Sequence, residues 1–388
     1  LQLLAFFDLQ DDRISRSNTN MSTIIQPRPD LPRRVAAARD KAGISQVKLS
    51  QLLGFKNRQS LEQIESGLRK ITSEELLAIM EATQCDLDYF TDPFRLVGEG
   101  AFSYRASGTK NADLDRCEDI AGRWLALWRH LGAVRGEKPR ALRPKLPLST
   151  NSRFEDAQTL GEALAQELKL GTVPAEKLEE AMVEQLELLV LHVDLPSGVS
   201  GAAIQLPMCD TILINRDEPT GRRMFDLAHE LFHVLTWDAM PPERVDRQSP
   251  RGYKGKRTEQ LADNFAGALL MPEAALRPLW DKKPKNRSLA EWIQALAEHF
   301  KVSSSAVYWR LAAIHCLDSE KTPKPVSVSG QDPVKQRPLF SRPFMERMVW
   351  GVEHGEVSVN RLLKILDLSL ETFRETCATH GVEVDIGL

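Results

Sequence analysis

Cysteine is scarce and scattered. The 388 residues hold five, Cys85, Cys117, Cys209, Cys316 and Cys377, with no CxxC pair and an odd total. That pattern argues against a disulfide framework and a cysteine-ligated metal site, and fits a reducing cytoplasm. Long apolar runs are also missing. None approaches the ~20 residues that span a bilayer, so no membrane role is expected. Leu1 to Phe7 is apolar but lacks a basic leader, and Asp8, Asp11 and Asp12 follow, which does not read as a signal peptide. Residues 1–20 are expected to be a disordered leader, with Met21 as an alternative start. A strong charge of either sign is absent too. The net charge is only -3, so a nucleic-acid site must be a local patch.

What is present is an ordinary soluble composition, 42% hydrophobic and 27% charged. The length suits two or three domains. The expected fold class is mainly α with a small β-sheet (α+β), and no internal repeat is visible. Residues 21–95 read as a compact helical unit, 96–320 as a larger domain and 321–388 as a linker and helical tail. A Pro- and Arg-rich stretch, 135–153, reads as a linker or long loop. Helical periodicity marks Ala112 to Leu131, Leu160 to Leu170, Pro174 to Val190, Gly221 to Trp237 and Thr258 to Met271. Pro272 stops the last of these. Leu289 to His315 is helical with a break at Ser303 to Ser305, and Pro343 to His380 is helical again. Thr211 to Asn215 reads as a short strand, either internal or an edge that pairs with an extended peptide. Trp124 and Trp128 read as core, and the tail either dimerises or lies over a cleft.

Histidine is rare, eight in the chain, yet His229 and His233 stand four residues apart in an otherwise apolar helix with Phe225, Leu227, Leu231, Phe232 and Leu235. Positions i and i+4 share one helix face, so both imidazoles can reach a single zinc ion. Glu230 lies beside them, where a carboxylate can serve as general base toward a water whose pKa the metal lowers. Two histidines leave the site short of a ligand. Glu259, opening the next helix, is the best third candidate. Asp263, one turn on, can hold a ligand histidine through its other ring nitrogen. His192, His299, His315, His354 and His380 are isolated and carry no expected metal role.

Thr211 to Pro272, with ILIN, MFDLAHELFHVL and EQLADNFAGALLMP, resembles the ImmA/IrrE family of zinc metallopeptidases. FSYRAS at Phe102 to Ser107 looks like the lead-in of longer members. The resemblance implies His229, His233 and Glu259 as ligands of one zinc ion and Glu230 as catalytic base. No transition-state stabiliser is evident. Tyr253, between the two motif helices, is either an oxyanion donor or a loop tyrosine without a catalytic task, the second being favoured.

Nearer the N-terminus, Val35, Ala38, Leu49, Leu52, Leu53, Leu61, Ile64, Leu76, Leu77, Ile79 and Met80 fall at helical spacing. Ser45 suits the N-cap of a helix from Gln46 to Leu53, which Gly54 ends. A second runs from Asn57 to Ser66, closed by Gly67. Two short helices around a glycine turn describe a helix-turn-helix. SQVKLSQLLGF and RQSLEQIESGLRKI resemble the lambda-repressor-like (XRE) family. By that resemblance Arg58, Gln59, Ser60 and Gln63 face the major groove and Gln46 anchors a phosphate. From Met21 to Met80 there are ten Lys and Arg against six Asp and Glu, a local net of +4.

These readings combine into an expected cytoplasmic regulator. It binds operator DNA as a homodimer and carries a zinc endopeptidase domain that acts on a repressor or another partner protein, in stress, mobile-element or toxin–antitoxin settings. The alternatives are a peptidase-like domain that senses or scaffolds without cleaving, and a toxin–antitoxin component that acts by binding.

Overall fold

A computed structural model describes residues 31–106, 108–137, 145–206, 209–247, 257–323 and 336–384. The expected leader and Tyr253 fall outside them. The N-terminal unit holds five helices: α1 Leu31–Lys41, α2 Gln46–Leu52, α3 Gln59–Glu65, α4 Ser73–Thr83 and α5 Leu87–Thr91. Local chemistry sets their ends. The Ser45 hydroxyl accepts from Lys48 N–H to start α2, and Thr72 and Glu75 form a reciprocal capping box on α4. Gly54 (φ +70°) turns the chain between α2 and α3, in the left-handed region where only glycine is unstrained. Val35, Ala38, Leu49, Leu61, Ile64, Ile79 and Phe90 form one small core. Buried Arg34 donates to the carbonyls of Tyr89 and Arg95, binding α1 to the segment that leaves α5.

The remaining elements are β1 Ala101–Ala106, α6 Asn111–Val134, α7 Phe154–Glu167, α8 Leu178–Glu184, β2 Leu189–Val193, β3 Val199–Gln205, β4 Thr211–Asn215, α9 Thr220–Thr236, β5 Val245–Arg247, α10 Arg257–Leu270, α11 Glu273–Asp281, α12 Leu289–Phe300, α13 Ser304–Ala313, α14 Arg342–Glu353, α15 Val359–Leu366 and α16 Leu370–Thr379. The fold is mostly helical around one five-stranded mixed sheet of order β2-β4-β3-β1-β5. β4 pairs parallel with β2 and antiparallel with β3, so it is an internal strand and offers no free edge to a peptide. β2 and β4 are buried on both faces, which is why LVLHV and TILIN lack the alternation of a one-sided strand. The expected helix from Pro174 to Val190 is shorter than its apolar pattern implied. α8 ends at Glu184, Glu187 turns at φ +52°, and the largely apolar run Leu189–Val193 that follows enters the sheet.

One sheet face carries Val190, Ile212 and Ile214 against α7, α9, α10, α12 and α13. The other carries Leu189, Leu191, Leu213, Ala202 and Ile204 against α6 and the tail. The tail therefore covers the sheet face opposite α9. Trp124 is core: its ring meets Phe340 edge-on, and its indole N–H donates to the Ile365 carbonyl at 3.1 Å. Trp128 stacks on Phe344 and lies under the Arg347 guanidinium. Ion pairs join the helix-turn-helix unit to this body. Glu99 binds Arg33 of α1 and Arg129 of α6, Arg95 binds Asp119 of α6, and Asp92 binds Arg361 of α15.

Candidate metal centre and nucleic-acid interface

α9 buries Leu227, Ala228, Leu231, Phe232 and Leu235, as a core helix should, but it also buries Asp226, His229, Glu230 and His233. With Arg223 it buries five ionisable groups, which is costly unless each has a partner. α10 supplies two of those partners from its first turns. Glu259 Oε2 lies 3.2 Å from His229 Nε2 and 3.5 Å from His233 Nε2, and the two Nε2 atoms are 3.1 Å apart. Asp263 Oδ1 sits 2.9 Å from His229 Nδ1.

The proton bookkeeping of this cluster decides what it can hold. A carboxylate at Nδ1 fixes the proton there and leaves a lone pair on His229 Nε2. That lone pair faces another imidazole nitrogen and a carboxylate oxygen, three donor atoms gathered where one metal cation would satisfy them all. Metal–ligand bonds of about 2.0–2.1 Å in tetrahedral geometry imply ligand atoms about 3.3 Å apart, close to the separations seen. Among the described residues His229, His233 and Glu259 form the one group of this kind. Two imidazoles and a carboxylate are a donor set that suits zinc.

Glu230 is buried, its Oε1 has no hydrogen-bond partner among the described residues, and burial pushes its carboxyl up to about 7. His233 Nδ1 is likewise buried and without a partner there. Two residues that spacing arguments missed shape this corner. Gly201 on β3 faces α9: a Cβ there would stand 3.2 Å from the Leu213 carbonyl oxygen and 3.4 Å from Glu230 Cγ. Its backbone is not in the left-handed region, so space is what the position requires. Arg105 on β1 pairs with Asp226 at 3.2 Å and with Asp263 at 3.5 Å. Removing one member of a buried ion pair costs about 3–5 kcal/mol, against about 0–1 kcal/mol for a surface pair. The Arg105–Asp226 pair, with Asp226 buried, therefore counts for more than any single exposed pair.

Residues 184–312 match the family model for the IrrE N-terminal-like domain, a peptidase family. The IrrE-like domain runs from the end of α8 into α13. It contains β2, β3, β4, α9 and α10, while β1 with Arg105 and the tail lie outside the match. Residues 35–90 match the helix-turn-helix family model. The two modules follow one another in that order, a DNA-binding unit ahead of a metallopeptidase-type domain. No curated protein matches the chain. No described helix is long and apolar enough to cross a membrane.

In the helix-turn-helix unit the five residues singled out from sequence are not equivalent. Arg58, Gln59 and Gln63 are exposed around the start of α3, with the Arg58 guanidinium 3.8 Å from Glu62. Ser60 is half-buried, its hydroxyl 3.4 Å from Asn57 Oδ1. Asn57 Oδ1 also accepts from Ser60 N–H, a cap that sequence reading had not assigned. Gln46 differs. Its amide donates to Glu65 Oε2 at 2.7 Å, and Glu65 is held in turn by Arg39. The contact ties α2 to α3 and leaves Gln46 less available than Arg58 or Gln59.

Proposed function

We propose that the chain is a cytoplasmic DNA-binding regulator whose IrrE-like domain is a zinc-dependent endopeptidase acting on a repressor or another partner protein. The helix-turn-helix reads operator DNA through Arg58, Gln59, Ser60 and Gln63, with Gln46 near the phosphates and a second copy of the chain on the other half-site. The observation that carries the enzymatic half is the convergence of His229 Nε2, His233 Nε2 and Glu259 Oε2 beside Glu230, whose Oε1 has no hydrogen-bond partner among the described residues.

In this reading His229, His233 and Glu259 hold one zinc ion. When bound, the ion supplies Lewis acidity, polarising a substrate carbonyl and making a water acidic near neutral pH. The chain's own groups do the rest. Asp263 keeps the His229 ring in the tautomer that presents Nε2. Glu230 takes the proton of the attacking water and returns it to the leaving amine. Burial, which pushes this carboxyl up, suits a group that must both take and return a proton. The partner protein belongs to stress, mobile-element or toxin–antitoxin control, as the ImmA/IrrE resemblance implies.

Glu230→Gln tests this reading. The variant should bind zinc like wild type. New protein N-termini that appear in cells expressing wild type, followed by terminal-peptide mass spectrometry, should vanish with it. Equal cleavage by the variant contradicts the mechanism. No new termini with zinc-loaded wild type would favour a domain that senses or scaffolds.

A further inference from the structure

Arg105 lies outside both family-matched segments, and no spacing rule points to it. It sits on β1, where its register partner on β3 is Gly201, the residue that leaves room for Glu230. Neighbouring residues of a ladder share a face, so Arg105 emerges on the α9 side of the sheet. The guanidinium reaches both site helices. Nε lies 3.2 Å from Asp226 Oδ1 on α9, and Nη2 lies 3.5 Å from Asp263 Oδ1 on α10. Its planar face lies toward the Phe225 ring, 5.9 Å from the centroid.

The Asp263 oxygen that Arg105 meets is the one 2.9 Å from His229 Nδ1. Asp263 has a half-exposed side chain, so a second contact that orients its carboxylate matters. A guanidinium whose other end is drawn to buried Asp226, 3.2 Å from its Nε, can supply it. Charge points the same way. Asp226, Glu230, Glu259 and Asp263 crowd around two histidines, and among the described residues Arg105 pairs with both Asp226 and Asp263, while Arg222 lies 3.7 Å from Asp226 and also pairs with Glu218.

We propose that Arg105 is a positioning residue of the metal centre: it holds Asp263 against His229 Nδ1 and so fixes the ring that presents Nε2 to the ion. This rests on the zinc reading above. Partners of this kind, one shell behind a ligand, typically change metal affinity by about 10–100-fold.

The test is a set of full-length variants, Arg105→Ala, Arg105→Lys, Asp263→Ala and the double Arg105→Ala/Asp263→Ala. Zinc affinity is measured by chelator competition, and the visible spectrum is recorded with cobalt in place of zinc. Arg105→Ala should bind zinc about 10–100-fold more weakly and shift the cobalt bands. Arg105→Lys keeps the charge without the fork and should recover part of both effects. The double variant should be little worse than Asp263→Ala, because the two residues act in series. Unchanged affinity and spectrum in Arg105→Ala overturn the proposal. So does a double variant whose losses simply add. If Arg105→Ala fails to fold, the lysine variant decides: wild-type affinity and an unshifted spectrum overturn the proposal, while weaker binding with shifted bands supports it. Wild type that takes up no metal overturns the zinc reading itself, whereas wild type that binds as expected leaves only Arg105 in question.

Discussion

At the scale of single residues, the metal corner depends as much on what is small as on what is charged. Gly201 lies against Glu230 and against the Leu213 carbonyl and Ile214, which leaves little room for a side chain there. Gly201→Val would press on the Leu213 carbonyl, Ile214 and Glu230 together. Overpacking of this kind costs about 1–3 kcal/mol. The expected outcome is a lower midpoint in urea, with zinc retained and any Glu230-dependent cleavage reduced at least about tenfold, since small misplacements of a reacting group are costly. A variant as stable and as active as wild type would show that the slot is not needed. The FSYRAS lead-in holds Arg105, but neither its place at the metal corner nor that of Gly201 could be read from the sequence, and for the same reason. Each meets the site through the sheet, from a strand whose partners lie elsewhere along the chain, and neither leaves a periodic signal.

At the scale of elements, α7 and α10 set where Glu259 and Asp263 stand. They pack so closely that a Cβ on Gly161 of α7 would come within 2.6 Å of the Phe265 carbonyl oxygen. Buried Arg310 on α13 reinforces the pair, donating to the Met271 carbonyl and to Gln158 and pairing with Glu162. Gly161→Ala should force the two helices apart. The expected loss is about 1–3 kcal/mol of stability, read from thermal or urea unfolding with and without chelator. Because α10 bears Glu259, weaker zinc binding should accompany it. Wild-type unfolding and zinc affinity together would mean that the helices part freely and that their spacing does not position Glu259. Helices of this kind were legible beforehand because caps and stops frame an apolar stripe: Ser45 and Gly54 around α2, Pro272 after α10, Ser303 between α12 and α13. Strand order was not. Internal and edge strands of a buried sheet both read as apolar runs, so β4 looked equally fit for either place. The tail's amphipathic helices showed that one face was buried without showing that α6 and the sheet would cover it.

At the scale of the whole molecule, two modules of different chemistry share one chain, and the ion pairs of Asp92, Arg95 and Glu99 fasten them together. The residues proposed to read DNA and those proposed to hold the metal lie in different modules. Arg58→Ala and Gln59→Ala should each weaken operator binding by about 1–3 kcal/mol per lost base contact, measured by fluorescence anisotropy, while zinc content stays at the wild-type level. Unaltered DNA affinity in both would remove α3 as the reading helix. The modular order and both motif helices could be read from the sequence. How the pieces share one sheet could not, since that depends on contacts between distant segments.

The central claim is that the corner between α9 and α10 is built for one zinc ion, and elemental analysis of purified protein tests it most directly. The account predicts one zinc per chain, kept in Glu230→Gln and lost when His229 and His233 are both replaced by alanine. Metal-free wild type, or zinc that survives loss of both histidines, would contradict it.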